Sequence, residues 1–275
     1  MFNKGLSLDQ APPASIPFRF FLTAPIFGIL LGLVFFLYPT ASITDQYSPV
    51  AVAVVHLFTL GMLAMIIFGA MQQMMPVLAG AVIKKPILFG NIVHTSLTLG
   101  TLLFSGSFLI SNKIMLMAGA TLLGIAFLTF FVSAIYLLFK VKFLTPTVSA
   151  MKIFAATGIV TALIGLHLAG SYISGNVGAL HFNFVNTHAA FGLFGFGVVL
   201  IMGVAFQVIP MFYVALDFPK YIQNKIPLFV LGLIIAIGVF SFLNVDIYIL
   251  KLFLSVLFIL FSVYGLNSLN HRRRP

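Results

Sequence analysis

Cysteine, tryptophan and glutamate are all missing from this chain of 275 residues, and its acids are four aspartates, Asp9, Asp45, Asp217 and Asp246. Without cysteine there are no disulfides, thiolate metal sites, iron–sulfur clusters or cysteine nucleophiles. Without tryptophan, any aromatic belt at a membrane interface must come from Phe and Tyr. Charged residues of either sign make up only 7% of the chain, against about 25% in an average soluble domain, which excludes a soluble globular protein. Long apolar stretches exclude disorder. Apolar runs long enough to cross a bilayer as helices, in place of short alternating segments, exclude a membrane β-barrel. The remaining class is an all-α polytopic membrane protein.

The net charge of +10 does not point to nucleic acid, because the 14 basic residues sit between apolar runs and form no groove-lining cluster. Apolar runs of spanning length fall at 18–38, 49–78, 86–110, 114–139, 147–172, 183–212, 226–244 and 247–269. Breaker chemistry separates them, as at Tyr38-Pro39, Lys84-Lys85-Pro86, Thr145-Pro146 and Phe218-Pro219-Lys220. The start, MFNKGLSLDQAPPASIP, has polar and Pro-rich residues where a cleavable signal would carry its apolar core. With the N-terminus inside, the inner side carries Lys4, Arg19, Lys84, Lys85, Lys140, Lys142, Lys152, Lys220, Lys225 and Arg272 to Arg274. The outer side carries only Lys113 and Lys251. This asymmetry predicts eight transmembrane helices with both termini cytoplasmic.

An internal repeat matches Gly61, Gly69, Gln73, Pro76 and Ala81 to Gly195, Gly203, Gln207, Pro210 and Ala215, every pair separated by the same interval. At that interval Ser107-Phe108-Leu109 also matches Ser241-Phe242-Leu243. An even number of helices per copy makes the repeats parallel, related by an axis along the membrane normal. The expected organisation is a cytoplasmic lead-in (1–17), a first four-helix repeat (18–139), a cytoplasmic linker (140–146), a second four-helix repeat (147–269) and a basic tail (270–275). The first span matches the fifth poorly.

All four acids fall in loops, so histidines are the candidates for chemistry inside the bilayer. His56 lies about two turns below the outer surface, His188 slightly shallower, His167 near the outer end of span five and His181 at the mouth of span six. A helical extension to His181 would place it on one face with His188, although Asn183 and Asn186 intervene. His94 lies in the inner half of span three, and His271 in the basic tail. Neutral imidazoles gathered on one side of an acid-free bundle suit a metal, most economically haem iron with two axial histidines. Gly192 and Gly195 follow His188 on the same helical face, where a flat porphyrin has room to approach. The competing reading is that such glycines serve close helix packing, and that a lone histidine such as His94 is bonded to a neighbouring carbonyl. Gln72, Gln73 and Gln207 are expected to satisfy backbone groups near Pro76 and Pro210.

The stretch His56-Leu-Phe-Thr-Leu-Gly61, continuing to Gly69 and Pro76, resembles the second helix of the haem–copper oxidase subunit I superfamily. Pro17-Phe-Arg-Phe-Phe21 and the stretch from His56 to Gly80 also resemble the NnrS family of bacterial membrane proteins linked to nitric-oxide response. The segment from Asn186-Thr-His188 to Pro210 resembles a second copy of such a helix. The resemblance implies that His56 is an axial ligand of a low-spin haem, with His188 its partner by role. At the repeat interval His188 falls opposite Val54 and His56 opposite Ala190, a slip of two positions. The adjacent His-His pair and the His-x-x-x-Tyr of the oxidases are absent, so oxygen reduction by this chain alone is not expected.

The expected molecule is a multi-pass protein of the bacterial inner membrane that binds haem b through His56 and His188. Its expected role is electron transfer or nitric-oxide handling, with a redox protein or quinol as partner and a homo- or hetero-oligomer allowed. His167 and His181 would complete a second shell or a second metal site. The alternatives are a copper-binding or copper-transport protein using His167, His181 and His188 with Met thioethers, a donor pair that suits copper, and a cofactor-free transporter or assembly factor.

Overall fold

A computed structural model describes residues 10–38, 45 and 47–271. The expectations placed on Lys4, Asp9, Pro39 and Arg272 to Arg274 lie outside the described residues. Among those described there are eight helices long and apolar enough to cross a membrane. They are α1 (Ser15–Leu37), α2 (Pro49–Ala79), α3 (Pro86–Ile110), α4 (Lys113–Phe139), α5 (Pro146–Ser174), α6 (His181–Tyr213), α7 (Lys220–Phe242) and α8 (Tyr248–Asn270). This is the build of a multi-pass membrane protein. On α1, Phe18, Leu22, Ile26, Ile29, Leu33 and Phe36 recur every three or four residues, and each is more than half exposed. A helix face both apolar and uncovered is the surface that lipid tails solvate.

Local chemistry starts and stops these helices. Pro49, Pro86 and Pro146 open α2, α3 and α5, where the missing N–H would have had no intrahelical partner. The Ser48 hydroxyl caps α2 by accepting from the Ala51 N–H at 3.1 Å. The Asn112 Oδ1 caps α4, accepting from the N–H groups of Ile114 and Met115 at 3.0 Å each. Asn112→Ala is expected to lower stability by about 1 kcal/mol, read as a lower melting temperature in detergent, whereas Asn112→Ser is expected to be nearly neutral.

Several helices begin earlier than hydropathy indicates, α6 and α7 among them. The apolar run of the seventh span starts at 226, yet α7 starts at Lys220, directly after Pro219. Ile222 and Ile226 are buried together with Phe218 in the same core, so packing draws the polar first turns into the helix. The α6 helix extends to His181, across Asn183 and Asn186. Asn183 is accommodated because its side-chain amide donates to the Ser241 carbonyl at the end of α7.

The chain forms two compact units. The first contains α1 to α4 with the end of α5 from Ala169, and the second contains α5 up to Leu168 with α6 to α8. In the first unit Phe68 is fully buried, stacked on Phe130 at 4.1 Å and edge-on to Phe127 and Phe131. In the second, Phe218 stacks on Phe261 and meets Phe206 edge-on. In the core of each unit, Phe thus packs against Phe.

Both α2 and α6 contain a π-helical stretch, Leu57–Ala64 in α2 and Phe191–Val198 in α6. The two stretches are separated by the interval of the sequence repeat. So are the left-handed caps that end these helices, Gly80 and Val214. Glycines on these helices admit a neighbour. A Cβ on Gly61 would overlap the Phe27 ring, and one on Gly69 would lie 2.7 Å from Phe20 Cβ. In the second unit a Cβ on Gly195 would lie 2.7 Å from Thr157 Cβ, and one on Gly203 would overlap Ala150. These are the close backbone approaches that small residues allow between membrane helices.

The π stretch explains the spacing. Gly61 and Gly69 are eight residues apart, whereas their partners Phe27 and Phe20 are seven apart. In a regular α-helix eight residues overshoot two turns by about 80°. A π turn takes up one extra residue, which returns both glycines to the face that α1 covers. Gly195 and Gly203 repeat this arrangement against Thr157 and Ala150 of α5.

Candidate functional site

His56 is the residue immediately before the π stretch of α2. Its Nδ1 is 2.7 Å from the Val52 carbonyl oxygen, and its ring lies 5.0 Å from that of Phe104 on α3. A carbonyl oxygen can only accept, so Nδ1 must carry the hydrogen. In a neutral ring the lone pair then sits on Nε2.

His188 is three residues before the π stretch of α6 and reaches the same state differently. Its Nδ1 is 3.1 Å from the Thr161 carbonyl oxygen of α5, so it too donates from Nδ1. Gly165, one turn beyond Thr161, makes the seat, since a Cβ there would come 2.9 Å from His188 Cε1. Both rings are therefore oriented by a backbone carbonyl and keep Nε2 basic, which is the tautomer a metal-ligating histidine adopts.

Gly192 and Gly195 lie against α5, with Thr161 Cγ2 3.2 Å from a Cβ on Gly192 and Thr157 in front of Gly195. Their bare face is filled by helix packing, so the room for a flat ring expected along them is taken by α5. His181 is the first residue of α6, buried, with its ring edge-on to Phe182 at 5.7 Å. It does share a face with His188, two turns away. His167 is exposed on α5, with its ring 4.5 Å from Phe184. Among the described residues, no group of three or more His, Cys, Asp or Glu is close enough together to hold a metal ion.

His94 belongs to a different arrangement. Thr23 donates its single hydroxyl proton to the Arg19 carbonyl at 2.8 Å, so at 2.9 Å it accepts from His94 Nε2. His94 is thus the opposite tautomer, with its lone pair on Nδ1, and packs edge-on to Phe20. Asn91 accepts a hydrogen bond from the Arg19 guanidinium. Gln72 donates to the Phe68 carbonyl at 3.1 Å, one turn back on its own helix. The carbonyl freed by Pro76 is that of Gln72 itself, so this amide is not the partner of the proline gap.

The sequence alone singled out neither Thr161 nor Gly165. Their signal is a carbonyl and a missing side chain at i and i+4 on α5, which acquires meaning only once His188 is known to face it. The two-position slip between His56 and His188 also takes on a structural sense. The π stretches register without a gap, so the two histidines leave their helices at different azimuths, one toward α3 and the other toward α5. Comparison with known protein families, curated proteins and solved structures finds no match.

Proposed function

We propose that this protein is a haem b-binding membrane protein with His56 and His188 as axial ligands, acting in electron transfer or nitric-oxide response. The observation that carries the reading is that each ring donates Nδ1–H to a backbone carbonyl, leaving a basic Nε2 on both. That chemistry fits an axial ligand of iron, which needs a neutral imidazole with a fixed tautomer. The neighbouring π stretches add support, because such distortions occur frequently at functional sites. When bound, the haem would supply a one-electron couple, tuned by its axial ligands and by the apolar surroundings. The chain's own part is to hold two imidazoles at set angles and to keep water from them with Phe104 and the α5 backbone.

As part of the same proposal, the chain is two parallel four-helix repeats in a bacterial inner membrane, with both termini cytoplasmic. Support comes from the common interval that relates the π stretches, the left-handed caps and the paired glycines. The first and fifth spans fit this scheme at a slightly shorter interval. Phe20 and Phe27 there occupy the places of Ala150 and Thr157, which accounts for the poor match in sequence.

A reduced-minus-oxidised visible spectrum of the detergent-purified protein, with metal analysis on the same sample, tests the function. Sharp haem b bands with stoichiometric iron are expected. Absence of haem after expression with ample haem supply would sink the reading; copper in its place would point to metal handling, and an empty protein to transport or assembly.

A further inference from the structure

Two lysines of the first unit gather at one tyrosine. Lys140, directly after α4, donates a hydrogen bond to the hydroxyl of Tyr136, one turn back, and its Nζ lies 3.8 Å from the centre of that ring. Lys84, in the turn between α2 and α3, is near enough for its charge to act on the same hydroxyl. All three side chains are exposed. An ammonium has three N–H donors, so Lys140 keeps two of them, and a hydroxyl that accepts from Lys140 still has its own O–H to give. Two positive charges and a hydroxyl donor are thus collected where α4 ends. Among the described residues of this unit the acid is Asp45, which precedes α2 and is separated from Lys84 by the length of that helix, about 45 Å. The lysine pair has no carboxylate of its own unit beside it.

An apolar track leads away from this charged end. Phe139, Tyr136, Val132 and Ile125 follow one another back along α4 at spacings of three, four and seven residues, which puts them on one face. They are 69%, 60%, 58% and 43% exposed. From 139 to 125 the track covers about 21 Å, more than the roughly 15 Å of hydrocarbon in one leaflet. Cationic donors at the head of an open apolar track call for a ligand of matching build, an anion carrying a long apolar part. A free phosphate would use the head of the site and leave the track unused.

We propose that the end of α4, together with Lys84, is a binding site for an anionic phospholipid. The phosphate sits among Lys84, Lys140 and the Tyr136 O–H, and the acyl chains lie along Phe139, Val132 and Ile125. A zwitterionic lipid brings an ammonium beside two lysines with no carboxylate to receive it, so a net anionic head such as that of phosphatidylglycerol is preferred. The asymmetry of basic residues puts this end of the helix at the inner leaflet, where anionic lipids attract lysines that border a membrane helix. The site lies wholly within the first unit and is independent of haem.

Because the chain contains no tryptophan, one introduced tryptophan reports on one place without a background. Full-length Phe139→Trp is reconstituted into phosphatidylcholine vesicles in which a rising fraction of the lipid is replaced by phosphatidylglycerol or phosphatidylcholine with brominated acyl chains, which quench tryptophan fluorescence on contact. Half-quenching is expected at a mole fraction of brominated phosphatidylglycerol at least about fivefold below that of brominated phosphatidylcholine. Lys84→Gln with Lys140→Gln, added to the same protein, is expected to abolish the difference. Lys220→Gln with Lys225→Gln, which removes the same charge from the second unit, is expected to preserve it. Equal quenching by the two lipids, a preference that survives the first pair of substitutions, or one lost equally with the second pair overturns the site. Inorganic phosphate added to the vesicles is expected to leave the preference intact. If it erases the preference, the site belongs to a soluble anion and the lipid assignment is overturned.

Discussion

His56→Ala and His188→Ala, made singly, are each expected to insert and purify like wild type while carrying less than a tenth of its haem. A b-type haem has no covalent tether, so removing one of two axial bonds removes a main source of its affinity. More informative is Gly165→Val, which leaves both imidazoles in the sequence. A side chain at 165 would displace the His188 ring from the Thr161 carbonyl, since the first added carbon already lies 2.9 Å from Cε1. Outer-shell partners of ligating histidines typically contribute 10–100-fold in affinity. Gly165→Val is therefore expected to weaken haem retention by about that factor, with Gly165→Ala in between. His94→Gln is expected to retain full haem, because His94 is engaged with Thr23. Haem per protein, by pyridine haemochrome, is the measurement. Unchanged content in both alanine variants would discard the ligand assignment.

Gly203→Leu is expected to prevent accumulation of folded protein, whereas Gly232→Leu is expected to be silent. At 203 the backbone of α6 rests directly on Ala150, and the Thr147 hydroxyl of α5 donates to the Gly203 carbonyl at 2.9 Å. A leucine cannot move aside there, because the obstruction is the short side chain and backbone of another helix. Overpacking costs about 1–3 kcal/mol or more where the backbone must shift, and separating the helices also breaks the hydrogen bond, which averages about 0.6 kcal/mol in a membrane protein. Gly232 has nothing within 4 Å of a Cβ. The yield of monodisperse protein in detergent separates the two outcomes, and full recovery of Gly203→Leu would show that the α5–α6 contact is looser than described.

Hydropathy and breaker residues located all eight helices to within a few residues, apart from the polar first turns of α7. That success has a simple cause: length and apolar content are one-dimensional properties, and a bilayer selects directly on them. Azimuth is not one-dimensional. Gly192 and Gly195 were legible as a smooth face, but whether such a face meets a ring or a helix depends on what arrives opposite, and Thr161 and Thr157 arrive there. His188 stood out as an intramembrane histidine, yet its seat on Thr161 and Gly165 belongs to the preceding helix, and no local pattern around His188 points to it. The correspondence of Phe20 and Phe27 with Ala150 and Thr157 is hidden in the sequence because bulk on one side and small size on the other answer the same glycine notch.

The π stretches have a consequence for the histidines that precede them. Each acts as a fixed swivel in the shaft of its helix, turning the half that bears the histidine by about one residue's angle, roughly 100°, relative to the half that holds the glycine notch. The notch end is pinned by its neighbouring helix, so the angle of the imidazole is a property of the swivel and not of the docking. A single deletion within 57–64 would straighten α2, keep Gly69 against Phe20, and swing His56 away from Phe104. Direction at one end of the helix and grip at the other are thus separately adjustable, by one residue gained or lost between them.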